Sequence, residues 1–229
     1  MKIIAANLKA NHTPRSIITY CNDLQTRLGF EMIQDKLEII VFPNQASLVD
    51  NNYSNFYIGA QNAYPVKNGA FTGEIGLEVL ESLHIKHIMI GHSERRMYFG
   101  EDNTAILQKY NFFMQENMRI MFCIGEDSNV TNIKDFLARQ LDRIDISYPL
   151  LTVAYEPVWS IGSGKIPDIN DIAQVVDILR SFGVQKVLYG GSVNIANVKE
   201  ICSITDGVLV GGASLNSGDF ANIVCQIRQ

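Results

Sequence analysis

The chain has 229 residues, 47% of them hydrophobic and 19% charged, with a net charge of −5. That is enough for one large α/β domain or two small ones, with a sizeable core, and with no basic cluster to displace counterions it argues against nucleic-acid binding. No apolar run approaches the roughly 18 residues of a membrane span, MKIIAANLKAN is too short in its apolar part for a signal peptide, and Cys21, Cys123, Cys202 and Cys225 lack CxxC spacing, so a soluble, reduced, cytoplasmic protein without membrane contact is expected.

In chain order, residues 2–8 (KIIAANL) form a first strand, and Thr13-Pro14 starts a helix carrying Ile17, Ile18, Cys21, Leu24 and Leu28 that Gly29 closes. Leu37–Phe42 is a second strand, stopped by Pro43, followed by a short helix through Ser47 to Val49. Phe56–Ala60 is a third strand, and a long Gly- and Asn-rich loop runs from Gln61 to about Gly76 before a turn or two of helix at Leu77–Leu83. His87–Ile90 is a fourth strand opening into GHSERR, with Ile106, Leu107, Tyr110 and Met114 on the next helix. Arg119–Ile124 is the fifth strand, and its helix shows Ile133, Phe136, Leu137, Leu141 and Ile144. Leu151–Tyr155 is the sixth, ending at Glu156-Pro157, with Ile172, Val175, Val176 and Leu179 on its helix. Lys186–Tyr189 is the seventh, ending in GGS before a short helix from Asn194, and Asp206–Val210 is the eighth, ending in Gly211-Gly212 before a closing helix with Phe220, Ile223, Val224 and Ile227.

Short strands, apolar at nearly every position and alternating with helices, are the pattern of a parallel sheet covered on both faces. Eight such units without a linker predict a closed (β/α)8 barrel as a single domain over residues 1–229. The alternative, an open doubly wound sheet, calls for a glycine-rich phosphate loop after the first strand, and there is none.

In such a barrel the loops after the strands meet at one rim, where chemistry gathers. Glu156 sits at the tip of a buried strand, where lost hydration favours a proton acceptor. The following segment, Pro157 to Lys165, combines apolar Val158, Trp159 and Ile161 with Gly162 and Gly164, a composition suited to a lid with bare amides. His92 precedes a helix start, whose dipole favours a neutral ring, although a lone histidine is more often a hydrogen-bonded core residue. Asn7 and Lys9 share a strand face, Glu94 can pair with Lys9, and Cys123 reads as core near the site. Gly190-Gly191-Ser192 and Gly211-Gly212, after strands seven and eight, fit a phosphate cradle of backbone amides.

Together the motifs NLK (7–9), GHSERR (91–96), CIGE (123–126), AYEPVW (154–159), YGGSV (189–193) and VGGASL (210–215) resemble the triosephosphate isomerase family along the whole chain. The resemblance implies a TIM barrel that interconverts dihydroxyacetone phosphate and D-glyceraldehyde 3-phosphate. It implies Glu156 as base, His92 as a neutral proton shuttle, Lys9 with Asn7 as fixed polar stabilisers and Glu94 behind them. It further implies phosphate held by Gly162, Ser192, Gly211 and Gly212, a closing lid, and no metal or organic cofactor. By the same resemblance Thr72, in the long loop, reaches into the partner of a two-fold homodimer. Leu8, Ala10, Ser160 and Ser163 depart from the residues usual in that family, and the segment after Glu126 is shorter. Two further readings stay open at this point: another sugar-phosphate isomerase or aldolase, which calls for a Schiff-base lysine or an acid pair at other strand ends, and a catalytically silent phosphate-binding barrel.

Overall fold

The computed structural model describes residues 1–29, 37–160 and 167–228. The strands are β1 (Lys2–Asn7), β2 (Leu37–Phe42), β3 (Tyr57–Ala60), β4 (His87–Ile90), β5 (Arg119–Ile124), β6 (Leu151–Tyr155), β7 (Val187–Tyr189) and β8 (Gly207–Val210). They pair in parallel in sequence order and β8 returns to β1, closing the barrel. The helices are α1 (Pro14–Leu28), α2 (Leu77–Ser82), α3 (Ser93–Phe99), α4 (Asn103–Gln115), α5 (Ile133–Gln140), α6 (Ile169–Ser181), α7 (Val198–Ile204) and α8 (Ser217–Arg228).

Local chemistry accounts for most of the boundaries. Pro14 stands in the first turn of α1, Thr13 accepts from the Ser16 amide, and the Ser16 side chain returns to the Thr13 backbone. Gly29 ends α1 at φ 66°. Gly100, left-handed at φ 65°, ends α3, and the Asp102 carboxylate then caps α4 through the Ala105 amide, so the stretch after β4 is two helices. Four strand ends move by one residue, those of β1 (to Asn7), β3 (from Tyr57), β7 (from Val187) and β8 (from Gly207), and three larger expectations shift. The turn after β2 is a 3₁₀ turn at Gln45–Ser47 and not a helix to Val49. α5 stops at Gln140, with Leu141 and Ile144 packing beyond its end. α7 begins at Val198 because the Asn194 side chain accepts the Ala196 and Asn197 amides and holds a local turn there.

Two apolar clusters divide the strand residues by parity. Ile4, Ala6, Val41, Val153, Tyr155 and Val210 pack outward beneath the helices. Ile3, Ala5, Ile40, Phe42, Met89, Met121, Cys123, Ala154, Leu188 and Leu209 fill the interior. A Cβ at Gly59 would overlap the Phe42 ring, so glycine there makes room for it.

At the N-terminal pole the inward positions turn polar. His87 Nε2 lies 3.0 Å from Glu38 Oε1, and Arg119 Nη1 lies 3.4 Å from the same oxygen. Burial pushes the Glu38 carboxyl up, but His87, Arg119 and Lys186 outweigh it and hold it below the usual range. Burial holds the His87 ring below its ordinary value against the pull of Glu38. The unfolded chain takes up a proton on His87 near the ordinary 6.5 that the folded chain refuses, so stability should fall as pH drops below that value. The Glu38 contribution has the same sign, present above the ordinary 4.5 and lost on further acidification. Calorimetric melting across pH should show the upper decline weakened in His87→Asn; an unchanged profile would remove His87 from this account.

Candidate active site

Parity carries the site. On β1 the inward series Ile3, Ala5 continues to Asn7; on β6 Ala154 continues to Glu156; on β7 Leu188 continues to Gly190; on β8 Leu209 continues to Gly211. Asn7 and Glu156 are therefore buried at the C-terminal rim, at 4% and 2% exposure. His92, 6% exposed, arrives from β4 as the N-cap of α3.

The contacts join three strand ends, those of β1, β4 and β6. His92 Nε2 lies 3.2 Å from Glu156 Oε1 and 3.1 Å from Asn7 Nδ2. His92 Nδ1 accepts the Glu94 amide at 3.3 Å, which leaves the ring proton on Nε2, facing the carboxylate. Glu156 Oε2 accepts the Ser93 amide at 3.3 Å. Asn7 Oδ1 accepts the Lys9 amide at 3.0 Å, and Lys9 Nζ meets Glu94 Oε1 at 2.6 Å. Lys9 sits at φ 50°, a left-handed backbone uncommon for a side-chain-bearing residue.

Burial works against charge on the His92 ring, but Glu156, with Glu94 behind it, outweighs burial and Lys9 and holds the ring above its ordinary value. This opposes the neutral ring expected from the helix N-terminus. That expectation weighed the histidine's own helix, whereas the opposing carboxylate arrives from β6. Charging the ring also sacrifices the Glu94 amide bond at Nδ1, so the geometry of α3 and the charge of Glu156 pull in opposite directions. Cys123 lies beside Glu156, fully buried, with its thiol pushed well above its ordinary value by burial and by Glu156. It is a packed thiol in the wall of the site, as expected.

A recess of about 200 Å³ is lined by Asn7, Lys9, His92, Gly190, Gly191, Ser192, Gly211 and Gly212. Among the described residues no acceptor takes the Gly211 or Gly212 amide, and a Cβ on Gly212 would meet nothing within 4 Å. These two N–H groups are thus free for an anion. Gly190 serves a different end: its amide donates to Tyr155 O at 2.7 Å, and a Cβ there would stand 2.8 Å from Glu156 Cγ. It clears space for the carboxylate. Ser192 is at the recess with its hydroxyl donating to Ser160 O at 2.7 Å. Gly162 and the rest of the lid from Ile161 to Lys165 lie outside the described residues. Thr72 is exposed on the long loop.

Two contributors escaped the sequence reading. Gln61, next inward after Gly59 on β3, donates to Lys9 O at 2.9 Å and Phe42 O at 2.8 Å; parity was the available signal. The Ser93 amide, which holds Glu156, carries no sequence signal because every residue but proline has one.

The family model for triosephosphate isomerase matches residues 2–227. The triosephosphate isomerase of Helicobacter hepaticus is 44% identical over 98% of this chain and 98% of its own. That of Campylobacter hominis is 40% identical over 99% of this chain and 100% of its own, and that of Campylobacter jejuni subsp. jejuni 43% identical over 97% and 99%.

Removing the Glu156 charge should lower the His92 titration midpoint, because that carboxylate is the main attraction raising it. Histidine NMR titration of Glu156→Gln against the unmodified chain reads the change; coincident midpoints would show that the two groups are not coupled.

Proposed function

This chain belongs to the triosephosphate isomerase family and interconverts dihydroxyacetone phosphate and D-glyceraldehyde 3-phosphate, and we propose that Glu156, His92 and Lys9 divide the proton transfers and charge stabilisation between them. The observation that carries the assignment is the meeting of a buried carboxylate, an imidazole and an ammonium beside a recess with two unpartnered amides.

A C–H beside a carbonyl is a weak acid, so the base must act where the developing oxyanion is already compensated. Glu156 removes the proton, the electron pair moves into an enediolate, and the former carbonyl oxygen takes the charge. His92 Nε2–H donates to that oxygen and moves a proton between the two enediolate oxygens. Lys9, fixed by Glu94 and Asn7, supplies positive charge without a proton. Glu156 then returns its proton to the neighbouring carbon. A substrate lodged between ring and carboxylate separates them, which relieves the attraction that raises His92 and leaves the ring neutral, its Nδ1 bonded to Glu94 N. Phosphate on the Gly211 and Gly212 amides, with Ser192 and Gly162 adding to the cradle, fixes the reacting carbons against the base. These steps balance with protons alone, so neither a metal nor an organic cofactor is proposed.

The proposed unit is a two-fold homodimer of single-domain chains in the cytoplasm. Among the described residues no helix is long and apolar enough to cross a membrane. Beside Lys9, His92 and Glu94 opens a cavity of about 460 Å³ that reaches Phe99. Phe71 next to Thr72 is 41% exposed, and Met97, Tyr98 and Phe99 are 53%, 73% and 68% exposed. An open cavity next to the ion pair with Phe99 on its wall, and exposed apolar side chains on α3 and the long loop, suit a partner's loop.

Glu156→Gln should lose at least about a thousandfold in kcat/KM, and Lys9→Ala about a hundredfold to a thousandfold, in a coupled triose phosphate assay. A loss under tenfold for Glu156→Gln would strip it of the role of base. Sedimentation velocity should find dimers that Thr72→Arg dissociates with loss of turnover; a fully active monomer of the unmodified chain would overturn the assembly.

A further inference from the structure

The loop between β1 and α1 carries a second left-handed residue besides Lys9. His12 sits at φ 68°, a conformation that disfavours any residue with a Cβ, so the loop must hold it in place. Its carbonyl accepts from Asn44 Nδ2 at 2.9 Å and Ser47 Oγ at 2.9 Å, and Asn44 Nδ2 also donates to Asn11 O at 2.8 Å. With the backbone clamped this way, the half-buried ring is delivered to the end of the turn after β8: Nε2 lies 3.1 Å from Leu215 O. A carbonyl can only accept, so Nε2 carries the proton, and Nδ1, 3.3 Å from Ser16 Oγ, accepts from that hydroxyl. The ring also stands edge-on to Tyr20 at 5.2 Å, and Tyr20 OH donates to Ser214 O at 2.8 Å.

Leu215 and Ser214 close the 3₁₀ turn whose first residues are Gly211 and Gly212. Ser214 N bonds Gly211 O at 2.8 Å, and Leu215 N bonds Gly212 O at 3.2 Å. A pull on the Leu215 carbonyl therefore orients the unpartnered amides at the other end of the same turn. On the first loop, Lys9 lies three residues before His12, and its Cε would stand 3.6 Å from a Cβ at Gly211. The ammonium and the amide turn thus face one another across the recess, and the side chain that ties their loops together is His12.

We infer that His12 is a positioning residue for the substrate's phosphate: its Nε2–H to Leu215 O locks the Gly211–Gly212 turn against the Lys9 loop. This rests on the isomerase reading for the identity of the anion, but not on turnover for its test. It acts on binding common to ground and transition states, so its loss raises KM and leaves kcat in place.

The test is a protein-detected NMR titration with inorganic phosphate, paired with steady-state kinetics. His12→Asn tolerates the left-handed backbone but is too short to reach Leu215 O; His12→Gly keeps the same backbone should the asparagine variant fail to fold. Either should weaken phosphate by about fivefold, the worth of one neutral hydrogen bond, and raise KM for D-glyceraldehyde 3-phosphate in proportion, with kcat within about twofold. His12→Gln, which restores a donor of sufficient reach, should recover most of the phosphate affinity. Unchanged phosphate affinity in His12→Asn, or an equal loss in His12→Gln, would overturn the inference, as would a fall in kcat with phosphate binding intact. If the unmodified chain binds phosphate but does not isomerise triose phosphates, the functional reading fails while the titration still decides the role of His12.

Discussion

A strand in a closed barrel has two faces, and a side chain placed on one cannot reach the other without shifting the whole strand by a residue. In this chain the inward face of β1, β6, β7 and β8 runs from apolar filler directly to Asn7, Glu156, Gly190 and Gly211. The register is held by the filler: moving β6 by one position would bury Thr152 and Glu156 under the helices and push Val153 and Tyr155 into the interior. The site is thus fixed by the same packing that fixes the fold, and the polar groups at the rim need no local scaffold to find one another. What local structure adds is aim, as when α3 presents His92 through its own N-terminus.

The two poles of the interior solve a common problem in opposite ways. Each buries a carboxylate against an imidazole, Glu38 with His87 below and Glu156 with His92 above. Below, burial prevails at the histidine, so the pair settles as a carboxylate held by a neutral ring and a nearby guanidinium. Above, the carboxylate prevails and the ring's proton affinity rises. The difference follows from the surroundings. His92 feels Glu94 as well as Glu156, whereas the Glu38 charge is shared with Arg119 and Lys186. A pair in which burial and a neighbouring carboxylate oppose one another suits chemistry; a pair with spare cations suits a plug.

Much of this was legible in the chain itself. β2, β4, β5 and β6 begin and end where the sequence places them, with Pro43 after Phe42 and Pro157 shortly after Tyr155 marking the ends of β2 and β6. The residues at the strand tips were readable as a rim for the same reason. What could not be read was set by distant contacts. Asn194 delays α7 through side-chain bonds that propensity does not weigh. The His92 proton is governed by a carboxylate 64 positions away in sequence. Gly190 was grouped with the anion amides on composition, but its N–H is spent on Tyr155 and its missing Cβ serves Glu156.

That reassignment bears on how the rim works. Backbone amides bind an anion only if the ladder does not consume them, so a glycine pair at a strand end divides its labour according to where the ladder stops. After β7 the ladder takes the first glycine; after β8 it ends before Gly211, and among the described residues both amides are left without an acceptor. An open turn is also unsupported, since nothing in the sheet now holds it. The supports that replace the ladder are the Ser214 hydroxyl on Val210 O and Gly211 O, Tyr20 on Ser214 O, and His12 on Leu215 O. All but the first come from the β1 loop or the helix it leads into. The first loop therefore both supplies the cation and steadies the amides opposite it, and its two left-handed residues, Lys9 and His12, mark where the chain bends to do both.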